Sequence, residues 1–382
     1  MDSYWQAAAD QVKSYSKQRR ICGPQEMSGS VTGSFVGYGS VSGDFGAGDV
    51  LILHKGMAKE IDRSYLALAL MLGRPSFANE VFIILVGEQV GAPAMSPDQK
   101  KHLRGFGDAF QGTQSTGDAA GSRQTGCYLG NGTVLGTLYD NQKIFLDGDD
   151  ISLTPHLVID GFWEQWITKA FLSRISAGMH VLDIGANCGY YTLLAARAVG
   201  AKGSVTAIDA NPRMCELVQK STSVNGHLSY SKVINAAVME VPGDIKFAIP
   251  KKFKGSATYL RDDVDFSQYG ETYDIIEVPG APLGDLTGDR KFDVVKIDAE
   301  GAEPLIYKGA RDILLAMPQV EIFMEFAPDF FREQMSGAEF LDMLEADGFR
   351  ISIVTHQGEI QSATRDQLLS GEYVDIFMKL ET

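Results

Sequence analysis

The sequence predicts a doubly wound α/β fold for its C-terminal part, with a seven-stranded, mostly parallel sheet covered by helices on both faces. Three observations predict it. Apolar, β-branched runs alternate with amphipathic stretches from His180 to Met378; a glycine-bracketed loop follows the first of these runs; and an acid closes the second. Residues 1–126 read as an accessory α+β region, 127–161 as a β-rich lead-in, and 162–382 as the main α/β domain.

The elements follow in order. Ser28 to Asp49 is rich in Gly and Ser with interspersed Val, Phe and Tyr, which fits short strands with tight turns or a poorly ordered segment. Glu60 to Leu72 carries Ile61, Tyr65, Leu68 and Leu72 on one stripe and ends at Gly73 and Pro75, so a helix is expected. Val81 to Val86 is a buried-strand candidate, and Phe106 to Gly126 reads as a linker. Thr133–Leu138 and Lys143–Leu146 flank Asp140-Asn141 as a hairpin. Phe162-Trp163-Glu164 opens a helix through Trp166, Ile167, Phe171 and Leu172. Strands are expected at 180–184, 204–209, 232–238, 293–298, 320–326, 350–354 and 373–378, and helices at 190–198, 212–223, within 303–317 and at 338–347.

A chain of 382 residues with 45% hydrophobic residues suffices for two domains with real cores. Its charge of -15 repels polyanions, which disfavours nucleic acid as a partner, although a local basic patch could still exist. Lys100-Lys101 and Lys251-Lys252-Phe253-Lys254 are short enough to read as solvated faces. Cys22, Cys127, Cys188 and Cys215 form no close-spaced pair, and no basic, apolar leader starts the chain, so a cytoplasmic location with reduced thiols is expected. The apolar region Tyr65–Ala94 is interrupted by Arg74, Pro75 and Glu88, which argues against a membrane span. His54, His102, His156, His180 and His227 lack metal-ligand spacing.

The loop Asp183-Ile184-Gly185-Ala186-Asn187-Cys188-Gly189 carries the chemistry. A dinucleotide fold prefers G-x-G-x-x-G facing a pyrophosphate; here the spacing is G-x-x-x-G with a carboxylate two residues before it. That carboxylate repels phosphate and suits a cationic amino-acid end of a nucleoside cofactor. Asp209, closing the second strand before Asn211-Pro212, is placed to accept ribose hydroxyls, with a helix-capping role as the alternative.

These segments, with Asp293-Val294-Val295-Lys296-Ile297-Asp298-Ala299-Glu300-Gly301-Ala302-Glu303 and Phe162-Trp163-Glu164, resemble the FkbM-type family of S-adenosylmethionine-dependent methyltransferases over roughly 133–378. The resemblance implies a Rossmann-like class I methyltransferase domain, S-adenosyl-L-methionine as methyl donor, and a hydroxyl of a sugar or secondary metabolite as acceptor. An N- or carboxyl-methyltransferase and a cofactor-binding scaffold module are the alternatives. The chain departs from the family in having Asp209-Ala210-Asn211-Pro212 where Glu before a Pro-Asn turn is usual.

Roles follow on that basis. Gly185, Asn187 and Gly189 would wrap the methionyl part, with Asp183 near its amino end and Glu164 bonding to the cofactor or serving as a first-turn helix acid. Asn235 and Ala236 would line the adenine pocket. Asp298 and Glu325, at the ends of the fourth and fifth strands, are the expected base or hydroxyl acceptor, and His356 is a further candidate against the plainer reading of a surface histidine. The two carboxylates would also suit Mg²⁺, a lesser alternative, and no metal site is assigned. Lys296, unusual inside a strand, is expected to pair with an acid such as Asp183. Residues 1–126 could cap the acceptor side, recognise a partner or mediate homo-oligomer formation.

Overall fold

The computed structural model describes residues 3–15, 20–31, 34–41, 45–87, 89–91, 93–103, 126–260, 272–331, 335–370 and 373–381. Packing divides the chain into two compact units, residues 1–123 with 139–141, and residues 124–138 with 142–382. The expected linker Phe106–Gly126 lies, save Gly126, outside the described residues.

The first unit holds a five-stranded mixed sheet of β1 (Arg20–Gly23), β2 (Ser34–Gly37), β3 (Val50–His54), β4 (Arg74–Ala78) and β5 (Phe82–Val86), in the order β2-β1-β3-β5-β4. β1 runs parallel to β2 and β3, whereas β5 is antiparallel to β3 and β4. The apolar runs of β3 and β5 are buried almost throughout, as central strands covered on both faces should be. The helix Arg63–Leu72 starts later than the apolar stripe suggests, because Asp62 caps it by accepting the Tyr65 N–H.

The second unit is built on an eight-stranded sheet. Its strands are β9 (His180–Ile184), β10 (Ser204–Asp209), β11 (Ser231–Asn235), β16 (Val294–Ile297), β17 (Glu321–Phe326), β18 (Phe349–Val354), β19 (Ile360–Ser362) and β20 (Val374–Leu380). The order is β11-β10-β9-β16-β17-β20-β18-β19. The first five strands are parallel, and β20 enters antiparallel between β17 and β18. The expected count of seven is therefore corrected to eight: β19 adds a short antiparallel edge to β18. The expected strand 232–238 is also two strands, because after Ala236 the chain leaves this sheet and Ala237–Val238 (β12) pairs with β15 (Tyr273–Ala281).

β12 and β15 join β13 (Gly243–Pro250) and β14 (Thr258–Tyr259) in a second sheet, ordered β12-β15-β13-β14, that the sequence reading did not anticipate. The lead-in forms a third, of β6 (Cys127–Gly130), β7 (Thr133–Thr137) and β8 (Lys143–Asp147), tied to the helix Pro212–Val224 where Ser221 Oγ accepts the Phe145 N–H at 2.9 Å. The main core lies under the large sheet, with Leu182, Ile184, Val295, Ile297, Ile322 and Met324 buried against flanking helices. Among the described residues no helix is long and apolar enough to cross a membrane.

Candidate active site

β9 ends at Ile184, and the chain turns through Gly185–Gly189 into the helix Tyr190–Val199. Gly185, Asn187 and Gly189 have φ of 79°, 49° and 88°, a region that favours glycine and tolerates Asn. Glycine is required at 185 by the neighbouring strand: a Cβ there would lie 1.8 Å from the Asp298 carbonyl oxygen. Asn187 holds its conformation locally, its Oδ1 accepting the Cys188 N–H at 2.8 Å.

Asp209 fastens this loop to the next turn. Its Oδ2 accepts the Asn187 N–H and its Oδ1 the Asn211 N–H, both at 2.7 Å. Burial pushes its carboxyl up to about 6 although both bonds favour the charged form. Asp183 sits behind the loop, 2% exposed, accepting from Thr192 Oγ1 at 2.6 Å, and is not among the residues that line the cavity. Asn235 is likewise outside it, donating to the Asp209 and Ala210 carbonyls at 3.0 and 2.9 Å, whereas Ala236 faces the cavity.

The cavity has a volume of about 310 Å³ and runs from the Gly185–Gly189 loop to the C-terminal ends of β16 and β17. Ile245 and Phe247 of β13, the segment Gly255–Ala257 and Ser152 form part of its wall. Lys254 fixes that segment, which corrects its reading as a solvated lysine. Its Nζ reaches both Asp147 carboxylate oxygens at 3.0 Å, its N–H donates to Asp150 Oδ1 at 3.1 Å, and its side chain is 19% exposed.

Around the strand ends the wall is acidic. Lys296 lies beside Asp183 in register, yet its Nζ bonds to Asp298 Oδ2 at 2.5 Å and stands 4.3 Å from the centre of the Tyr191 ring. Burial alone would lower its ammonium, but Asp298, Glu164 and Asp183 together hold it above the ordinary range. Glu164, with φ of 39°, faces the cavity and accepts from Tyr373 Oη at 2.9 Å and Tyr191 Oη at 3.3 Å; it makes no cap bond to its helix. Glu300, with φ of 53°, and Glu325 also line the cavity. Burial, then the nearby charge of Asp298, pushes Glu300 up to about 8 and Glu325 well above the carboxylate range. Behind them Glu303 is fully buried and accepts the Ala299 N–H at 2.8 Å, while its Oε2 has no partner.

Asp298 and Glu325 meet in the cavity, but His356 is exposed beside Trp166, ring centres 5.0 Å apart, and is not a lining residue. The turn after β18 carries it away from the strand ends where the acids gather. Glu300, which lines the cavity, was not singled out from the sequence, nor were Tyr373 and Asp375, which lie beside the lining residues Glu164 and Glu325. Asp375 stands opposite Glu325 in register, accepts from Trp166 Nε1 at 3.1 Å, and is pushed up to about 7 by burial and then Glu164. Among the described residues no group of three or more His, Cys, Asp or Glu side chains is placed to hold a metal ion.

The lining fits an adenosine-bearing sulfonium. Ala236 and Ala237 leave room for a flat ring, Asp209 offers a carboxylate beside the glycine loop, and the acidic wall suits a positive charge. Residues 183–351 match the family described as the methyltransferase FkbM domain. A stretch of 75 residues is 27% identical to the protein-L-isoaspartate O-methyltransferase of Thermotoga maritima, covering 20% of this chain and spanning only 22% of that relative. Among solved structures, a SAM dependent methyltransferase from Aquifex aeolicus is similar at 17% identity, covering 61% of this chain and 95% of that one with a TM-score of 0.34. An O-methyltransferase from Bacillus cereus in complex with SAH is similar at 13% identity, covering 61% and 83%, with a TM-score of 0.34. Over residues 183–351, then, the chain is similar to the methyltransferase FkbM domain family.

Proposed function

We propose that this chain methylates a hydroxyl of a sugar or secondary metabolite. The observation that carries the reading is the pairing, in one cavity, of the glycine loop with Glu325, a carboxyl held above its ordinary range and without a hydrogen-bond partner among the described residues. An amine is already nucleophilic once neutral, whereas a hydroxyl gains from a group that takes its proton as the bond forms, and a carboxyl with a raised pKa suits that task. Asp298 is the weaker candidate base because Lys296 already occupies it.

S-adenosylmethionine, when bound, supplies an electrophilic methyl group. The chain's part is positioning and proton transfer. Gly185, Asn187 and Gly189 would hold the methionyl portion, Asp209 would accept the ribose hydroxyls, and Ala236 would line the adenine side; of these, Gly185, Asn187, Asp209 and Ala236 line the cavity. Asp183 acts through Thr192 by holding the helix that follows the loop. Glu164 faces the same space with its two tyrosine donors. The acceptor oxygen must line up with the methyl carbon, and Ile245, Phe247 and Gly255–Ala257 supply part of the wall against which it would be held. The catalytic domain is taken to run over 162–382, with 127–161 as lead-in and 1–126 accessory. Four unpaired cysteines support a reducing, cytoplasmic setting.

Two outcomes test this. Glu325→Gln is expected to lower kcat roughly 100-fold or more while leaving the affinity for S-adenosylhomocysteine nearly unchanged, since general-base catalysis contributes on that scale. Methyl transfer screened over sugars and hydroxylated metabolites measures it; turnover in the variant equal to the wild type would remove Glu325 from the reaction. Cofactor affinity is expected to weaken below about pH 6, by roughly tenfold per unit, because Asp209 is neutral there and accepts the ribose poorly. Calorimetry from pH 5 to 8 reads this, and Asp209→Asn should flatten the profile.

A further inference from the structure

Five acids line the cavity: Glu164, Asp209, Asp298, Glu300 and Glu325. Its two lysines are already engaged, Lys254 by Asp147 and Lys296 by Asp298. Asp209 is satisfied by two backbone N–H groups, and Glu164 by two tyrosine hydroxyls. Glu300 and Glu325 are left, and neither side chain has a hydrogen bond or ion pair from any described residue. Glu325 has a task in the proton transfer described above, so Glu300 is a carboxyl facing the cavity with no partner among the described residues and no assigned role.

We infer that the acceptor carries an ammonium group beside its hydroxyl, as an amino sugar or amino alcohol does, and that Glu300 binds that nitrogen. The inference rests on the methyltransferase reading, whose acceptor it narrows. An anionic acceptor such as a sugar phosphate would face the two carboxyls that are left, Glu300 and Glu325, and a neutral one would leave Glu300 without a partner. A cation relieves the crowding. Asp298, Glu303 and Glu164 around Glu300, against Lys296 alone, keep its carboxyl at about 8 after burial, so an arriving ammonium should expel a proton at pH 7.5. The ammonium takes no part in the bond changes. The hydroxyl oxygen forms its bond to the methyl carbon as the carbon–sulfur bond breaks, the sulfur keeps that electron pair as a neutral thioether, and the hydroxyl proton passes to Glu325. Mg²⁺ is the competing cation, but the described acids do not converge as a metal set.

The test uses the full chain, with and without saturating S-adenosylhomocysteine, and three matched probes: ethanolamine, ethylene glycol and glycolate. Saturation-transfer NMR at pH 7.5 should show ethanolamine binding at least tenfold more tightly than ethylene glycol, and no glycolate binding. Calorimetry in two buffers of different ionisation enthalpy should register release of a proton with the amine. Glu300→Gln should erase the preference while leaving S-adenosylhomocysteine affinity within about threefold, which separates a role toward the acceptor from one toward the donor. Equal binding of the three probes, binding of none, displacement of the amine by millimolar Mg²⁺, or a Glu300→Gln effect confined to S-adenosylhomocysteine would each overturn the inference. Failure of S-adenosylhomocysteine to bind the wild type, with ethanolamine still preferred, would instead sink the methyltransferase reading and leave the cation site standing.

Discussion

Gly185→Ala is expected to dismantle the donor loop and abolish measurable cofactor binding. Two costs act together. The residue has φ of 79°, which an L side chain rarely adopts, and the new Cβ would overlap the Asp298 carbonyl oxygen at 1.8 Å. The obstacle is backbone at the end of β16, so no rotamer change relieves it. Left-handed strain and overpacking add to roughly 2–6 kcal/mol, enough to lower Tm by several degrees. The readout is thermal unfolding with and without S-adenosylhomocysteine. A variant with wild-type Tm and undiminished ligand stabilisation would show that β9 and β16 do not pack as described. Gly200→Ala is a fitting control: its φ is 62°, but open space surrounds its Cβ position, so it carries the backbone strain without the collision.

Lys296→Met is expected to cost more stability than removal of any surface charge, about 3–5 kcal/mol, the scale for breaking a buried ion pair from one side. Lys296 is 5% exposed, and methionine fills most of its volume, so packing changes little while Asp298, Asp183 and Glu164 lose their shared counter-charge. The sign with pH follows. Asp183 and Glu164 already sit above their ordinary pKa values through burial, and without Lys296 both rise further. A carboxyl whose folded pKa exceeds its unfolded one contributes stability at low pH that is lost as pH rises through the folded value. The variant should therefore be closest to wild type near pH 4.5 and weakest near pH 8, as read by urea unfolding. Adding Asp298→Asn to Lys296→Met should recover part of the loss.

What the sequence made legible was what neighbouring residues encode. The loop from Asp183 to Gly189 and the acid at Asp209 follow strands within one short segment, so spacing alone located them. The reason for Gly185 was not legible, because it depends on the Asp298 carbonyl, more than 100 residues away. The second sheet escaped notice because β13 and β15 are half-exposed strands whose burial alternates only weakly, and they pair across an intervening segment. Lys254 looked solvated in a basic run, and only the fold brings Asp147 to it. Lys296 was recognised as anomalous, but two acids were within reach of its strand, and only side-chain geometry selects Asp298 over the register neighbour Asp183. Asp375 belongs to a late strand, with Tyr373 just before it, that β-sheet order, not sequence order, sets beside β17. Glu300 had a local signal, the repeated acids after β16, but only the fold shows that it lines the cavity while Glu303 does not.

A crystal structure of the chain with S-adenosylhomocysteine tests the central claim most directly. The account predicts the methionyl portion along Gly185–Gly189, the ribose hydroxyls on Asp209, the adenine against Ala236, and the sulfur turned toward Glu325 with the carboxyl of Glu300 beyond it. A ligand bound elsewhere, or one whose sulfur faces away from Glu325 and Asp298, would contradict it.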